Sequence, residues 1–399
     1  MKNILKIFVL VLILFGNSLA QKDSYIILVS FDGFRWDYLN RGLTPNLDKV
    51  IDNGVRALSL RPCFPSKTFP NHISIATGMF PQNHGIISNN FENPFTKEMY
   101  GMRTTGSKWY NGEFIWETLE RNGIKTASYF WPGSEITYSE RRPSMYKKYE
   151  HKFPYYNRID SVIAWLSLPE EERPHFLTVY FDATDTYGHK YGPNSPEVNR
   201  TIQSLDSLSG YFLKRLDEIG MGDKVNVIFL SDHGMTEIWS DKFINIEEML
   251  KEFDVELQND GPVMMIRTKP DNRNKVYEYL KQQKHFSTYK KEEMPSYYNF
   301  NKHPFIDDLI LVADLGYSLL DDKSIKKAGE YEGKGNHGFA KDELDMHGIF
   351  IGKGPSFKNG FKTGTVWNID VYPLICKIFG VFPRLNIDGN VERIEFLLK

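Results

Sequence analysis

The chain has 399 residues, with 49 lysines and arginines against 51 aspartates and glutamates and a formal charge of −2. That length buries a large core, and that balance offers no basic face of the kind a nucleic-acid partner requires, so none is expected. Two cysteines, Cys63 and Cys376, are too few and too far apart for a disulfide framework.

Residues 1–20 read as a Sec signal peptide. Lys2 and Lys6 precede an unbroken apolar run, Ile7 to Phe15, and Ser18-Leu19-Ala20 sets small residues where a signal peptidase cuts. The alternative is a membrane anchor, which needs about 20 apolar residues; this run is shorter. Cleavage before Gln21 removes Lys2 and Lys6, moves the formal charge from −2 to −4, and leaves 21–399 as an exported domain with no further span expected.

Strands buried on both faces are predicted at Ser24 to Ser30, Thr126 to Trp131, Phe176 to Phe181 and Val225 to Ser231. Each is short, apolar and bounded by polar or turn residues. Helical patterns fall at Glu113 to Arg121, Ile159 to Leu166 and Glu197 to Ile219. The alternation predicts an α/β fold, a mostly parallel sheet with helices on both faces and ligands at the carboxyl ends of its strands. Between about 255 and 320 the texture changes: a strand at Gly261 to Arg267, a helix at Asn274 to Gln283 and a strand at Phe305 to Ala313 predict a small α+β cap insertion. Tyr372 to Phe379 reads as an apolar helix in which Cys376 packs as a small hydrophobe.

Chemistry-bearing residues cluster at the ends of these runs. Asp32 follows the first strand and Asp232-His233 the fourth. Asp185 and His189, spaced i, i+4, share one face of a helical turn. His337 stands between Gly335 and Gly338. Carboxylate oxygen and imidazole nitrogen are zinc donors, but each cluster alone has a plainer reading: a turn aspartate, a surface pair, a helix cap, a loop histidine. Thr68 stands near the start of a helix predicted at His72 to Thr77, where backbone N–H groups favour phosphate oxygens; a metal at its hydroxyl would make it a nucleophile, and a cap is the plainer alternative.

The ordered set resembles the nucleotide pyrophosphatase/phosphodiesterases of the alkaline phosphatase superfamily, over nearly the whole mature chain. The resemblance lies in Phe31-Asp32-Gly33, Phe64-Pro65-Ser66-Lys67-Thr68-Phe69-Pro70-Asn71-His72, Asn83-His84-Gly85-Ile86, Phe130-Trp131-Pro132-Gly133-Ser134, Gly188-His189-Lys190-Tyr191-Gly192-Pro193, Ser231-Asp232-His233-Gly234-Met235 and His337-Gly338. It implies an alkaline-phosphatase-like core and a bacterial type I phosphodiesterase, periplasmic or secreted. It implies two Zn2+ per chain, one on Asp185, His189 and His337 and the other on Asp32, Asp232 and His233 beside Thr68. Thr68 would be the catalytic nucleophile, passing through a covalent intermediate, and Asn89 would bind a phosphoryl oxygen. Phe69, Trp131 and Tyr149 would line the nucleoside pocket, while His72, His84, His175 and His347 match no ligand position and read as structural. Two departures stand out: Asp182-Ala183-Thr184 precedes Asp185 where the family commonly has Glu-Glu-Pro, and Tyr187 replaces a smaller residue. Both are expected to bear on substrate preference.

Three rivals remain open at this level. A phosphomonoesterase of the same superfamily would want an extra cation, for which Lys67 or Lys190 is placed in sequence. A sulfatase is suggested by Cys63-Phe64-Pro65-Ser66-Lys67, although Lys67 stands where that pattern has arginine and the spacing is wrong. A non-catalytic exported binding protein would have lost a ligand or Thr68, and none is lost. The partner is expected to be a small phosphodiester or nucleotide; the natural substrate and the oligomeric state are not legible.

Overall fold

The computed structural model describes residues 24–259, 261–328 and 334–399. The signal peptide expected at 1–20 lies outside the described residues.

An eight-stranded sheet forms the centre. Its strands are β1 (Tyr25–Phe31), β2 (Val55–Ala57), β3 (Thr126–Tyr129), β4 (Met145–Lys147), β5 (Phe176–Phe181), β6 (Val225–Leu230), β7 (Phe350–Lys353) and β8 (Phe361–Thr363). Across the sheet they run β8-β2-β7-β6-β1-β5-β3-β4. The five strands from β6 to β4 pair in parallel, and β7 runs antiparallel to both its neighbours. The fold is therefore the mostly parallel α/β architecture that the alternating pattern predicts.

Strand residues alternate between two cores, as a two-residue repeat requires. Ile26 and Leu28 of β1 join one cluster, with Ile73, Ile75, Ile115, Leu119 and Leu374 from helices on that face. Ile27, Val29 and Phe31 join the other, with Val50, Ile159, Val162, Ile202 and Phe212. The helices of interest are α1 (Pro45–Asp52), α2 (Thr68–Thr77), α3 (Ala183–Tyr191) and α4 (Pro196–Glu218). Pro196 and Ser195 start α4 as proline and N-cap residues should, with Ser195 accepting from the Val198 N–H. α1 has no side-chain cap of its own. The buried Asp206 of α4 supplies one, accepting from the Asn46 and Leu47 N–H groups.

The segment 255–320 contains a four-stranded antiparallel sheet, in the order Val255–Gln258, Val263–Thr268, Leu309–Ala313, Phe286–Lys290, with the helix Pro270–Leu280 packed against it. Cys63 and Cys376 are both buried and unbridged. The Cys63 thiol bonds to Asn368 Oδ1, and burial pushes it up to about 12. That removes the sulfatase reading: Cys63 is a core residue with no open approach.

Candidate metal centre

Register places the site. β6, β1 and β5 are adjacent, with Ser30 level with both Leu230 and Tyr180. Their carboxyl ends therefore deliver Asp232, Asp32 and the start of α3, which carries Asp185, to one edge of the sheet. Gly33 makes the turn after Asp32 at φ +66°, and a Cβ there would sit 2.9 Å from Asp185 Cα; a side chain would push two of the three acids apart. His337 arrives from far along the chain. A two-residue antiparallel ladder pairs Thr236 and Glu237, just after His233, with Asn336 and Gly335. Gly335 also lies so close to Gly188 that a Cβ would meet its carbonyl at 2.3 Å. His337 is then tied to the loop before Thr68, through its Nδ1 to the Ser66 carbonyl at 2.8 Å and the Gly338 N–H to Ser66 Oγ at 3.1 Å.

The side chains converge. His233 Nε2 lies 3.2 Å from Asp32 Oδ1 and 3.1 Å from Asp232 Oδ2. Asp185 Oδ1 lies 3.3 Å from His189 Nε2 and 3.5 Å from His337 Nε2. Thr68 Oγ1 lies 3.1 Å from His233 Nε2, and Thr68 is the first residue of α2, only 8% exposed. Groups of ligand atoms from Asp185, His233 and His337, and from Asp32, His72 and Asp232, each fall within 4.8 Å of one another.

Hydrogen-bond accounting shows what the arrangement lacks. Asp32 Oδ1, Asp185 Oδ1 and Asp232 Oδ2 are buried and have no hydrogen-bond partner. Each facing imidazole uses its other nitrogen on a backbone carbonyl: His189 Nδ1 on Gly335 at 3.0 Å, His233 Nδ1 on Gly234 at 2.8 Å, and His337 Nδ1 on Ser66 at 2.8 Å. An N–H given to a carbonyl leaves Nε2 as a bare acceptor. Acceptors then face carboxylate oxygens at hydrogen-bond distance, which needs a proton or a cation between them. Protons on every ring are disfavoured, because His233 and His337 stack at 3.6 Å with rings 11° apart and like charges so placed repel. Burial and His233 hold His337 well below its ordinary value. Burial opposes charge on His233, but Asp232 and Asp32 outweigh it and lift the imidazole to about 10. Burial, then Asp232 and Asp185, push Asp32 up to about 7. Three carboxylates and three imidazoles with unmet acceptors fit divalent cations of the nitrogen- and oxygen-binding kind.

Asn89 and a cavity complete the site. Asn89 Oδ1 accepts from the Phe69 N–H at 2.9 Å, which fixes the amide with its nitrogen as the remaining donor. A cavity of about 230 Å³ opens here, lined by Lys67, Asn89, His189, Gly261, Leu320, Asn336 and His337. Lys67 and Asn336 flank predicted site residues in the sequence but carry no spacing signal of their own. Phe69 is half-buried next to Thr68. Tyr149 is 45% exposed and packs edge-on against Phe130 and Tyr180.

Trp131 departs from expectation: it is 1% exposed, stands edge-on to His72 and donates its indole N–H to the His72 carbonyl. It backs α2 from the core and is no wall of an open pocket. His84, His175 and His347 are held by Ser74, Ser24 and Ser59 respectively, away from the acids. Of the sequence departures, Asp182 accepts from Tyr155 OH at 3.2 Å, and the Thr184 hydroxyl donates to the Asp32 carbonyl at 2.5 Å. Tyr187 stacks on Tyr191. At about 100° per residue it lies on the side of α3 turned away from Asp185 and His189. Tyr180 carries no signal in the sequence, yet its hydroxyl donates to Asp32 Oδ2.

Known proteins resemble the chain over most of its length. The family model for type I phosphodiesterase / nucleotide pyrophosphatase matches residues 26–340. A bis(5'-adenosyl)-triphosphatase, enpp4 of Xenopus laevis, is 33% identical, covering 94% of this chain and 81% of that protein. Human ectonucleotide pyrophosphatase/phosphodiesterase family member 1 is 35% identical over 94% of this chain, which spans only 42% of that longer relative. The solved structure of human ectonucleotide pyrophosphatase/phosphodiesterase 5 superposes with a TM-score of 0.88 at 30% identity, covering 94% of this chain and 100% of that one. The chain belongs to the type I phosphodiesterase / nucleotide pyrophosphatase family, hydrolases of phosphodiester and pyrophosphate bonds.

Proposed function

We propose that the chain is an exported two-zinc hydrolase that cleaves phosphodiester or pyrophosphate bonds of nucleotides through a covalent intermediate on Thr68. One observation carries it: three unpartnered carboxylate oxygens and three acceptor nitrogens converge beside the Thr68 hydroxyl. Asp185, His189 and His337 would hold one ion, and Asp32, Asp232 and His233, with Thr68 adjacent, the other. Bound there, the ions would offset charge on the phosphoryl group and on the attacking and departing oxygens.

The chain's own groups do the rest. Thr68 Oγ1 attacks phosphorus, the P–O bond to the departing alcohol or nucleotide breaks, the hydroxyl proton passes to the departing oxygen through solvent, and the retained nucleoside phosphate stays esterified to Thr68. Water then attacks phosphorus and frees Thr68. Two inversions give retention. The Asn89 amide nitrogen supplies a donor to the negative charge that develops; within the first turn of α2 the Phe69 N–H is taken by Asn89 Oδ1, Pro70 has none and the Asn71 N–H goes to the Lys67 carbonyl. Phe69 and Tyr149 supply apolar surface for the nucleoside. A nucleotide substrate is supported by a solved neighbour, an inactive form of murine member 5 in complex with AMP. Export rests on the leader pattern at 1–20 and places the protein in the periplasm or outside the cell; no helix among the described residues is long and apolar enough to cross a membrane. We read 255–320 as a cap inserted in the main domain, with Gly261 and Leu320 at its two ends both reaching the cavity.

Lys67 on the cavity wall favours a second reading, a monoesterase, because a monoester brings one more negative charge. Hydrolysis of para-nitrophenyl thymidine monophosphate against para-nitrophenyl phosphate separates the two. The diester should turn over faster; faster monoester turnover would reverse the assignment.

A further inference from the structure

His72 matches no ligand position, yet it sits inside the centre. The geometry points to His72 as a positioning residue that locks the nucleophile's helix to the Asp232 carboxylate without itself binding a cation. Proximity alone makes it a rival to His233, since a nitrogen of His72 and oxygens of Asp32 and Asp232 lie within 4.8 Å of one another. Bonding separates the two rings. His72 Nε2 is 2.8 Å from Ser30 Oγ, a hydroxyl free to donate, and His72 Nδ1 is 2.9 Å from the Thr68 carbonyl. Both nitrogens are therefore committed to the protein. His233 commits only Nδ1, and its Nε2 meets carboxylates and the Thr68 hydroxyl.

His72 Nδ1, whose hydrogen goes to the Thr68 carbonyl, also lies 3.2 Å from Asp232 Oδ2, an electrostatic contact that leaves that oxygen without a hydrogen bond of its own. One buried ring thus touches Ser30, two residues before Asp32, the carbonyl of Thr68, and Asp232. Trp131 holds it from behind through the His72 carbonyl at 3.2 Å. A movement of the first turn of α2 must carry the ring, and with it the contact that orients Asp232. Groups that orient metal-binding side chains are worth roughly 10–100-fold in metal affinity or activity.

This inference rests on the two-cation reading, and the test keeps them apart. His72→Asn retains an N–H near the place of Nδ1, and His72→Ala removes it. Zinc content at saturation, zinc affinity by chelator competition, and kcat and KM separately are measured for both. Two zinc ions per chain are expected in wild type and both variants. In His72→Ala, affinity should fall about 10–100-fold and kcat should fall with little change in KM; His72→Asn should recover most of both. If His72→Ala does not fold, Ser30→Ala, which removes the Nε2 partner, should weaken zinc binding in the same direction. Saturation of the His72 variants at one zinc would make His72 a ligand and overturn the inference, as would wild-type affinity and kcat in His72→Ala. A wild-type chain that takes up no zinc would overturn the two-cation reading itself.

Discussion

At the scale of single residues, the centre is a set of acceptors held at one another's contact distance. Without a cation, Asp32 binds a proton up to about pH 7 and His233 up to about 10. A cation must displace those protons, so binding tightens as pH rises. For the metal-free fold the sign runs the same way. The Asp32 pKa is raised on folding, so its protonated form favours the native state at low pH, and that support is lost as pH climbs through about 7. Zinc should therefore raise the melting temperature more at pH 8 than at pH 5.5, measured with and without chelator; an equal shift at both would contradict the assignment. Thr68→Ala should cut turnover by at least ~100-fold, about 2.7 kcal/mol of barrier, while substrate binding persists; near-normal kcat would remove Thr68 as nucleophile. The six proposed ligands and Thr68 are legible in the sequence only as an ordered set, through the family resemblance; taken singly, each reads as plainly as a turn, cap, surface-pair or loop residue. Tyr180 is not legible: it lies within β5 among apolar neighbours, and only the fold aims its hydroxyl at Asp32. Trp131 misleads for the converse reason, since an aromatic in a family motif does not reveal which way the chain turns after Phe130, at φ +72°.

At the scale of elements, long patterns speak and short ones do not. The predicted strand at 176–181 matches β5 residue for residue, that at 225–231 runs one residue past β6, and that at 24–30 is shifted by one residue from β1 at both ends. β2, β4, β7 and β8 have three or four residues each, too few to establish a period. The antiparallel direction of β7 depends on pairing, which no local pattern encodes. α1 illustrates support from a distance: its two first-turn N–H groups find Asp206, some 160 residues away. Asp206→Ala should cost about 1–3 kcal/mol, the range for a lost bond to a buried charged acceptor, read from urea unfolding with metal present. A change under ~0.5 kcal/mol would mean that water caps α1 as well as the carboxylate does.

At the scale of the whole molecule, three adjacent parallel strands bring Asp32, Asp185 and Asp232 together across two hundred residues of chain, and the ladder at Thr236–Glu237 returns His337 to them. The change of texture near 255 is legible because an antiparallel sheet with half-exposed edges reads differently from strands buried on both sides. The claim on which all of this turns is that the converged acids and imidazoles exist to hold two cations against Thr68. Metal analysis during chelator stripping and stepwise zinc return tests it most directly. Activity should vanish with the metal and return in full at two equivalents per chain; a stripped enzyme that keeps its full turnover would contradict the account.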